Sequence, residues 1–484
     1  MGRTFEAKIL SEDDVTRIIE AGRKVIGEVG VVVENDALLD ILAAHGAEVS
    51  RAEMRARFSG KVIDALLEGS SDQYDALDGL EVSCLLPYGE RANYSHGVEC
   101  TAGTYPTAYL DVEGAVKTHT VESVADMTRL ADAMEHIDRL GSMGVPSDVP
   151  AQLTPLYQRL LAWKHAERKL SGCGEVRDED LFDAALEMGR IAAADKKSSL
   201  RRFMYGEVEL ISPLKFARHE ASIFVKFWKQ DLYCGIGFMH SAGGSAPATL
   251  AGLMALNVAE NLFINFLYRH CYGFKKLWFQ SNSSVLDMRR GMFPFGRPER
   301  GLLTVATGQV ARRLRAGLWA SAIYPDAKVP SCEAGMQAAF NVTPAVMAGS
   351  LGLECFGLLS GAEMNSPVQL VIDNEFAGAV KRFARGFQVD DTHLALDAIR
   401  EVGPGGNFLE HEQTLEFFRC EHWQPSIFSR EALGSWLESG KKVDTMLARE
   451  RCETILREHR PQGISRAAEK ELLKVIQTAG RRYS

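Results

Sequence analysis

Between residues 10 and 68 apolar side chains recur with the period of a helix. In LSEDDVTRIIEAGRKVIGEVG, Leu10, Val15, Ile18, Ile19, Val25 and Ile26 form one stripe. Ser11 stands at the N-cap position, Asp14 at the capping-box position, and acids fill the first turn, where they face the positive end of the helix dipole. NDALLDILAAHGAEV repeats the design and stops at Gly46, and SGKVIDALLEG makes a third, shorter helix. These helices predict a helical cap over residues 1–95, resting on a larger domain.

From about residue 95 to 400 the rhythm changes. Short apolar or β-branched runs alternate with longer helical patterns. The runs at 139–145, 168–174, 201–210, 231–240, 276–284, 318–326 and 353–361 predict strands. Helical patterns fall at 121–136, 153–166, 179–194, 214–228, 247–270, 299–316 and 333–350. Seven or eight strand–helix repeats predict an α/β protein, a TIM-type (α/β)8 barrel over residues 96–430, ahead of a doubly wound sheet. The segment 106–119 supplies one more strand or a hairpin at the rim. Residues 431–484 predict a charged helical tail, packed on the outside of the barrel or on a neighbouring subunit.

Composition narrows the class. The chain has 484 residues, 46% hydrophobic and 25% charged, as in ordinary globular proteins. A net charge of -9 argues against nucleic-acid or anionic-membrane partners. No window reads as a transmembrane helix, and the charged start MGRTFEAKILSEDD does not read as a secretory signal. Nine scattered cysteines without a CxxC pair predict reduced thiols in the cytoplasm and no cysteine zinc site.

In a barrel the chemistry sits where strands end. Those ends carry Cys173, Tyr205, Glu207, His240, Gln280, Asn282, Tyr324, Asp326, Ser360 and Glu363. Alternation puts Tyr205, Glu207 and Glu209 on one strand face, and Glu354, Phe356 and Ser360 on another. Each residue alone has a plain structural role. As a set they predict a pocket for a cation, with carboxylates for charge and aromatic faces for cation–π attraction. The stretch GGSAPATLAGLMALNVAEN (243–261) follows a predicted strand. Pro247 suits a first helical turn and Ser245 its cap, so Gly244, Ser245 and Thr249 form a candidate anion site at a helix start. Without a Walker lysine the anion would be a carboxylate and not a nucleotide. The competing reading is a tight turn made by Gly243 and Gly244. GPGGNF (403–408) does not fit a dinucleotide loop, HEASI and HEQTL lack the second histidine of HExxH, and no G-x-S-x-G elbow exists. His411 and His422 read as surface or loop hydrogen-bonders; Arg289 and Arg290 read as solvated charges, with an anion or partner site as the alternative.

The chain resembles the trimethylamine methyltransferase family, the corrinoid-dependent methylamine and betaine methyltransferases. The resemblance runs from LSEDDVTRIIEAGRKVIGEVGVVV through GGSAPATLAGLMALNVAEN and YPDAKVPSCEAGMQ. It continues in SPVQLVIDNEFAGAVKRFARGFQVDD and EVGPGGNFLEHEQT, and ends near Trp423-x-Pro425 and Arg430. It implies an (α/β)8 barrel and transfer of a methyl group from an amine to the cobalt of a corrinoid on a separate carrier protein. The trimethylamine enzymes carry pyrrolysine; this chain has ordinary residues throughout and resembles the branch acting on quaternary amines. Glycine betaine is then the first expected substrate. Proline betaine, carnitine, or a betaine-binding role without turnover stand behind it.

The family pattern Ser-Asp-Ser-Lys with Asp-x-Gln-Ala-Gly-x-Glu keeps Asp326, Lys328, Ala334 and Gly335 here. Ser331, Glu333 and Gln337 depart from it, as does Gln413 near the C-terminus. With Gln337 and Phe356 added, the expected substrate wall is Tyr205, Glu207, His240, Gln280, Tyr324, Asp326, Gln337, Phe356, Ser360 and Glu363. The Asp-x-His-x-x-Gly cobalt-ligating pattern is absent, so a corrinoid carrier protein would supply the cofactor and dock at the barrel mouth. A homo-oligomer is expected.

Overall fold

A computed structural model describes residues 6–69, 98–167, 176, 178–320 and 323–483. The first region holds α1 (Glu12–Lys24), β1 (Val31–Val33), α2 (Asp36–Ala44), β2 (Glu48–Ser50), β3 (Arg55–Arg57) and α3 (Gly60–Glu68). Ser11 caps α1 by accepting from the Asp14 amide, and Asp14 answers in a full capping box. Asn35 and Ser59 cap α2 and α3 in the same way. The three helices lie where the periodicity puts them, but three strands were not expected there. β1 pairs antiparallel with β3 and parallel with Lys215–Phe216. Strands of three residues carry too little alternation to be read, and this last pairing bridges more than 180 residues.

The central region contains β4 (Glu99–Thr104), a rim hairpin β5 (Ala108–Leu110) and β6 (Val116–Thr118), α4 (Val121–Ala133), β7 (Arg139–Met143), α5 (Thr154–Lys164), α6 (Phe182–Asp195), α7 (Leu200–Phe203), β8 (Gly206–Glu209), β9 (Lys215–Phe216) and α8 (Arg218–Lys229). It continues with β10 (Cys234–Gly237), β11 (Ser241–Ala242), α9 (Leu250–Tyr272), β12 (Trp278–Ser281), β13 (Ser284–Val285), α10 (Pro298–Arg313), β14 (Gly317–Ala320), α11 (Cys332–Met347), β15 (Ser350–Glu354), β16 (Leu358–Leu359), β17 (Met364–Asn365) and α12 (Pro367–Arg385). The fold is α/β. Five strands form a parallel sheet in the order β12-β14-β15-β4-β7, and β8 pairs in parallel with β10. The last strand of this series, β15, pairs with the first, β4, through Leu353 and Cys100. The strand expected at 168–174 lies outside the described residues.

β10 and β12 share no backbone ladder among the described residues. The side chains of α9 occupy the split. Tyr268 and Tyr272 hydroxyls accept from the Ile236 and Cys234 amides of β10, at 2.7 and 3.1 Å. Asn261 and Asn265 accept from the Gln280 and Trp278 amides of β12, at 2.9 and 2.8 Å. Asn265 also donates to the Trp278 carbonyl. The Gln280 side chain spans the split itself, donating to the Ile236 carbonyl at 2.6 Å. Buried amides left without partners are costly, so the helix replaces a missing strand neighbour. Contrary to the sequence reading, α9 is long and apolar enough to cross a membrane, yet 83% of its most apolar window is buried inside the fold.

The chain continues as α13 (Asp391–Leu394), α14 (Leu396–Val402), α15 (Glu412–Glu421), α16 (Leu433–Glu438), α17 (Asp444–Glu458) and α18 (Arg466–Gly480). α17 packs on α12 and α18 on α6, burying Ala448, Cys452, Leu472 and Ile476. The tail therefore covers the outside of the α/β region. α12 escaped the periodicity reading because buried polar residues, Asp373, Glu375 and Lys381, interrupt its apolar pattern.

Candidate active site

The inward faces of the parallel strands, with the loops beyond their carboxyl ends, enclose a cavity of about 590 Å³. Strand alternation decides what enters it. In Trp278-Phe279-Gln280-Ser281, Trp278 and Gln280 face inward, while the Ser281 hydroxyl meets Thr304 of α10 at 3.2 Å. Gln280 sits beside Trp319 in register. The Trp319 indole donates to the Glu354 carboxylate at 2.6 Å. Its ring lies across Gly352, where any Cβ would collide with the indole. Gly237 makes similar room, since a Cβ there would come within 2.7 Å of the Glu209 carboxylate. Glycine at these strand positions gives the wall space for large and charged neighbours.

The described lining is aromatic and acidic. Tyr105, Tyr205, Tyr233, Tyr268, Phe274, Trp278, Phe279, Phe295, Trp319 and Tyr324 are its aromatic residues. Glu207, Glu209 and Glu354 contribute carboxylates, and Arg139, paired with Glu99, a guanidinium. Near the mouth Tyr324 stacks on Phe295, with centroids 4.5 Å apart. Arg300 lies behind both rings at 5.2 and 5.4 Å and donates to Asn282. The Cys355 thiol donates to the Tyr324 hydroxyl at 2.7 Å. Burial pushes Tyr324 and Cys355 well above their ordinary ranges, so both stay neutral at physiological pH. Burial also pushes Tyr233 up to about 12. Such a wall attracts cations by ring quadrupoles and carboxylate charge together.

Four of the ten expected wall residues, Tyr205, Glu207, Gln280 and Tyr324, do line this cavity, as do Glu209, Asn282 and Glu354. Six are placed elsewhere. His240 is fully buried behind the wall, between Ser283 at 3.1 Å and the Glu260 carboxylate at 2.9 Å. Phe356 is packed in the core. The Asp326 carboxylate accepts from the Phe295 and Gly296 amides at 2.9 and 2.8 Å, holding the loop that presents Phe295. Gln337 accepts from the Asp326 and Ala327 amides at 2.7 and 3.2 Å. Ser360 donates to Glu363 at 2.6 Å and accepts from Lys328 at 2.8 Å, outside the lining. These six hold loops and core around the cavity. Of the departures from the family pattern, Ser331 caps α11 and Glu333 accepts from Gln337, so neither faces the cavity.

The expected anion site is also corrected. α9 begins at Leu250, with Thr249 at its N-cap making no side-chain capping bond. Ser245 instead accepts from the Ser241 amide at 3.0 Å, and the Ala246 amide donates to the Ser241 carbonyl. Gly243, at φ +84, turns the chain. Residues 243–247 are thus a tight turn, the competing reading, and Gly244, Ser245 and Thr249 do not line the cavity. Trp278 and Trp319 were the legible omissions, since both lie in predicted strands and Trp278 shares a face with Gln280. Tyr268 and Phe274 carried no signal, because they reach the cavity only through the β10–β12 split. Among the described residues no three His, Cys, Asp or Glu side chains are grouped to hold a metal ion.

The chain is thus a parallel α/β protein with an aromatic, carboxylate-lined cavity. The model of the trimethylamine methyltransferase (MTTB) family matches residues 2–482, and the chain belongs to that family. It is 24% identical over 495 residues to trimethylamine methyltransferase MttB of Methanosarcina barkeri, covering 99% of this chain and 96% of that protein. It is 24% identical over 479 residues to the glycine betaine methyltransferase of Desulfitobacterium hafniense (strain Y51), covering 98% and 97%. Among solved structures, the hydroxylamine MtmB complex aligns at a TM-score of 0.48 and 11% identity, over 94% of this chain and 89% of that one.

Proposed function

We propose that this chain transfers a methyl group from a quaternary amine to a corrinoid carried by a separate protein, in the cytoplasm, using a closed eight-stranded barrel. The barrel reading is supported by the β15–β4 pairing and by the place of residues 168–174 in chain order between β7 and β8. The observation that carries the functional reading is the wall itself, ten aromatic residues and three carboxylates around one cavity. Family membership adds the reaction type.

The chemistry asks little of the protein beyond holding and aiming. A quaternary ammonium is permanently charged, and its departing group is a neutral amine. No general acid is needed, and burial makes Tyr233, Tyr268, Tyr324 and Cys355 weaker acids than usual. Trp278, Trp319, Tyr205 and Tyr324 offer faces to the N-methyl groups; each cation–π contact contributes about 0.5–2 kcal/mol when desolvated. Glu207, Glu209 and Glu354 supply the compensating charge. Trp319 is fixed by its bond to Glu354 and its seat on Gly352, so one N–CH3 direction is favoured and the gain is one of positioning. A reduced corrinoid supplies the strong nucleophile when its carrier docks. The carrier would present the corrinoid at the open side of the cavity, where the lining residues Tyr105 and Met239 are exposed.

Without an anion site at 245–249, glycine betaine stands on a relative's name and not on that helix start. The test is a corrinoid-methylation assay with a purified corrinoid carrier protein held in the Co(I) state. Glycine betaine, proline betaine, carnitine, choline and trimethylamine are supplied in turn, and loss of the Co(I) absorbance is followed. Transfer from at least one quaternary amine, reduced at least tenfold by Trp319→Leu, is the expected result. Binding of an amine without any transfer would replace the enzyme by a binding protein.

A further inference from the structure

Two carboxamides in the cavity wall have their orientation fixed by their partners. Gln280 of β12 and Asn282, two residues further on, both line the cavity. The Gln280 side chain reaches the Ile236 carbonyl at 2.6 Å, and the Asn282 side chain reaches the Arg300 guanidinium at 2.7 Å. A backbone carbonyl only accepts, and a guanidinium only donates. Gln280 therefore gives its NH2 to Ile236 and keeps its oxygen on the cavity side. Asn282 does the reverse: its oxygen accepts from Arg300, and its NH2 is on the cavity side. Among the described residues neither of these cavity-side atoms has a hydrogen-bond partner.

Arg300 gives this part of the wall a positive sign. It is buried behind Phe295 and Tyr324, 5.2 and 5.4 Å from their ring centres. Burial lowers its pKa to about 10, so it stays a cation at neutral pH. Its bond to the Asn282 oxygen polarises the amide and strengthens the NH2 as a donor. The acidic side chains Glu207 and Glu209 stand on β8, on the other side of β10. The β8 side of the cavity therefore attracts a cation, while the β12 side offers a donor backed by positive charge. A small molecule bearing both an ammonium and a carboxylate satisfies both sides; a simple cation satisfies one.

We propose that Asn282 selects amines that also carry a carboxylate, by donating its NH2 to that carboxylate. Arg300 is the positioning residue that fixes the amide. This inference rests on the quaternary-amine reading above and narrows its substrate class to zwitterions. It needs no helix start for the anion.

Calorimetric titration of the full chain tests it. Glycine betaine, proline betaine and carnitine form one set of ligands, and choline and tetramethylammonium the other. Wild type is expected to bind at least one of the first set roughly tenfold more tightly than tetramethylammonium, as a charge-assisted hydrogen bond allows. Asn282→Asp keeps the size of the side chain and its bond to Arg300, but places an oxygen where the NH2 stood. It should weaken the carboxylate-bearing ligand roughly tenfold and leave tetramethylammonium no weaker. Asn282→Ser, which adds no charge, should weaken the same ligand and again spare tetramethylammonium. Arg300→Gln should lower the ratio of the two affinities, which a purely structural role would leave unchanged. Unaltered binding of the carboxylate-bearing ligand to both Asn282 variants would overturn the proposal. So would equal loss of both ligand sets, or a wild type that binds tetramethylammonium as tightly as every zwitterion; each leaves the quaternary-amine reading standing. Silence of the wild type toward all five ligands would instead remove that reading, and this inference with it.

Discussion

The cavity wall is held together in two ways. From β12 through β14, β15 and β4 to β7 the strands pair backbone to backbone. Between β10 and β12 the joining is done by side chains of α9 and by Gln280. The ladder half leaves its side chains free to shape the cavity. The spliced half asks the same side chains to do both jobs: Asn261, Tyr268 and Gln280 satisfy strand edges and also line the cavity. Substitutions in the ladder half should therefore alter shape, and those in the splice should cost stability and binding together.

The largest effect is expected in the splice. Asn265→Leu leaves the Trp278 amide and carbonyl without their partners and should lower stability by about 2–4 kcal/mol in urea unfolding. On the ladder side, Gly352→Ala drives a methyl group into the Trp319 ring. It should cost about 1–3 kcal/mol, and amine affinity should fall with it because Trp319 must leave Glu354. Tyr268→Phe removes only the hydroxyl that accepts from Ile236 and should cost about 1 kcal/mol. If Asn265→Leu proved milder than Gly352→Ala, the splice would not be the joint on which stability depends most.

Asp373 sharpens the comparison by pH. It is buried on α12, where it accepts from the Gly357 amide and the Gln369 side chain, and burial pushes its carboxyl up to about 7. The folded state thus keeps a proton that the unfolded chain releases near pH 4. Its contribution is full below that pH and is lost as pH rises from about 4 to about 7. Asp373→Asn should flatten this part of the stability–pH curve, measured by thermal melts across the range. The smallest effect belongs to the exposed pair of Lys442 and Glu450, where Lys442→Ala should change stability by less than about 0.5 kcal/mol.

Much of this was legible in order of locality. Ser11 and Asp14 announce α1 because a capping box lies within four residues. Strand alternation places Glu207, Glu209 and Gln280 on the inner face. The asparagines at 257, 261 and 265 are visible as a polar stripe on α9, four residues apart. Their purpose is not, because it depends on a split between two strands that only the folded chain creates. The same limit explains Ser360 and Glu363. Polar groups after a strand look like site residues, yet hydrogen bonds with Lys328 and each other spend them on the rim. The helix start at 245 failed for a local reason: Ser245 turns back to Ser241, and the first helical turn moves to Leu250.

The central claim is that this cavity recognises a quaternary ammonium by its charge. Calorimetric titration of the purified chain with choline, glycine betaine, proline betaine and carnitine, each beside its uncharged carbon isostere, addresses it directly. The account predicts that at least one quaternary amine binds and that its isostere binds at least tenfold more weakly, about 1.4 kcal/mol. Equal binding of the neutral isostere, or silence from every amine, would contradict it.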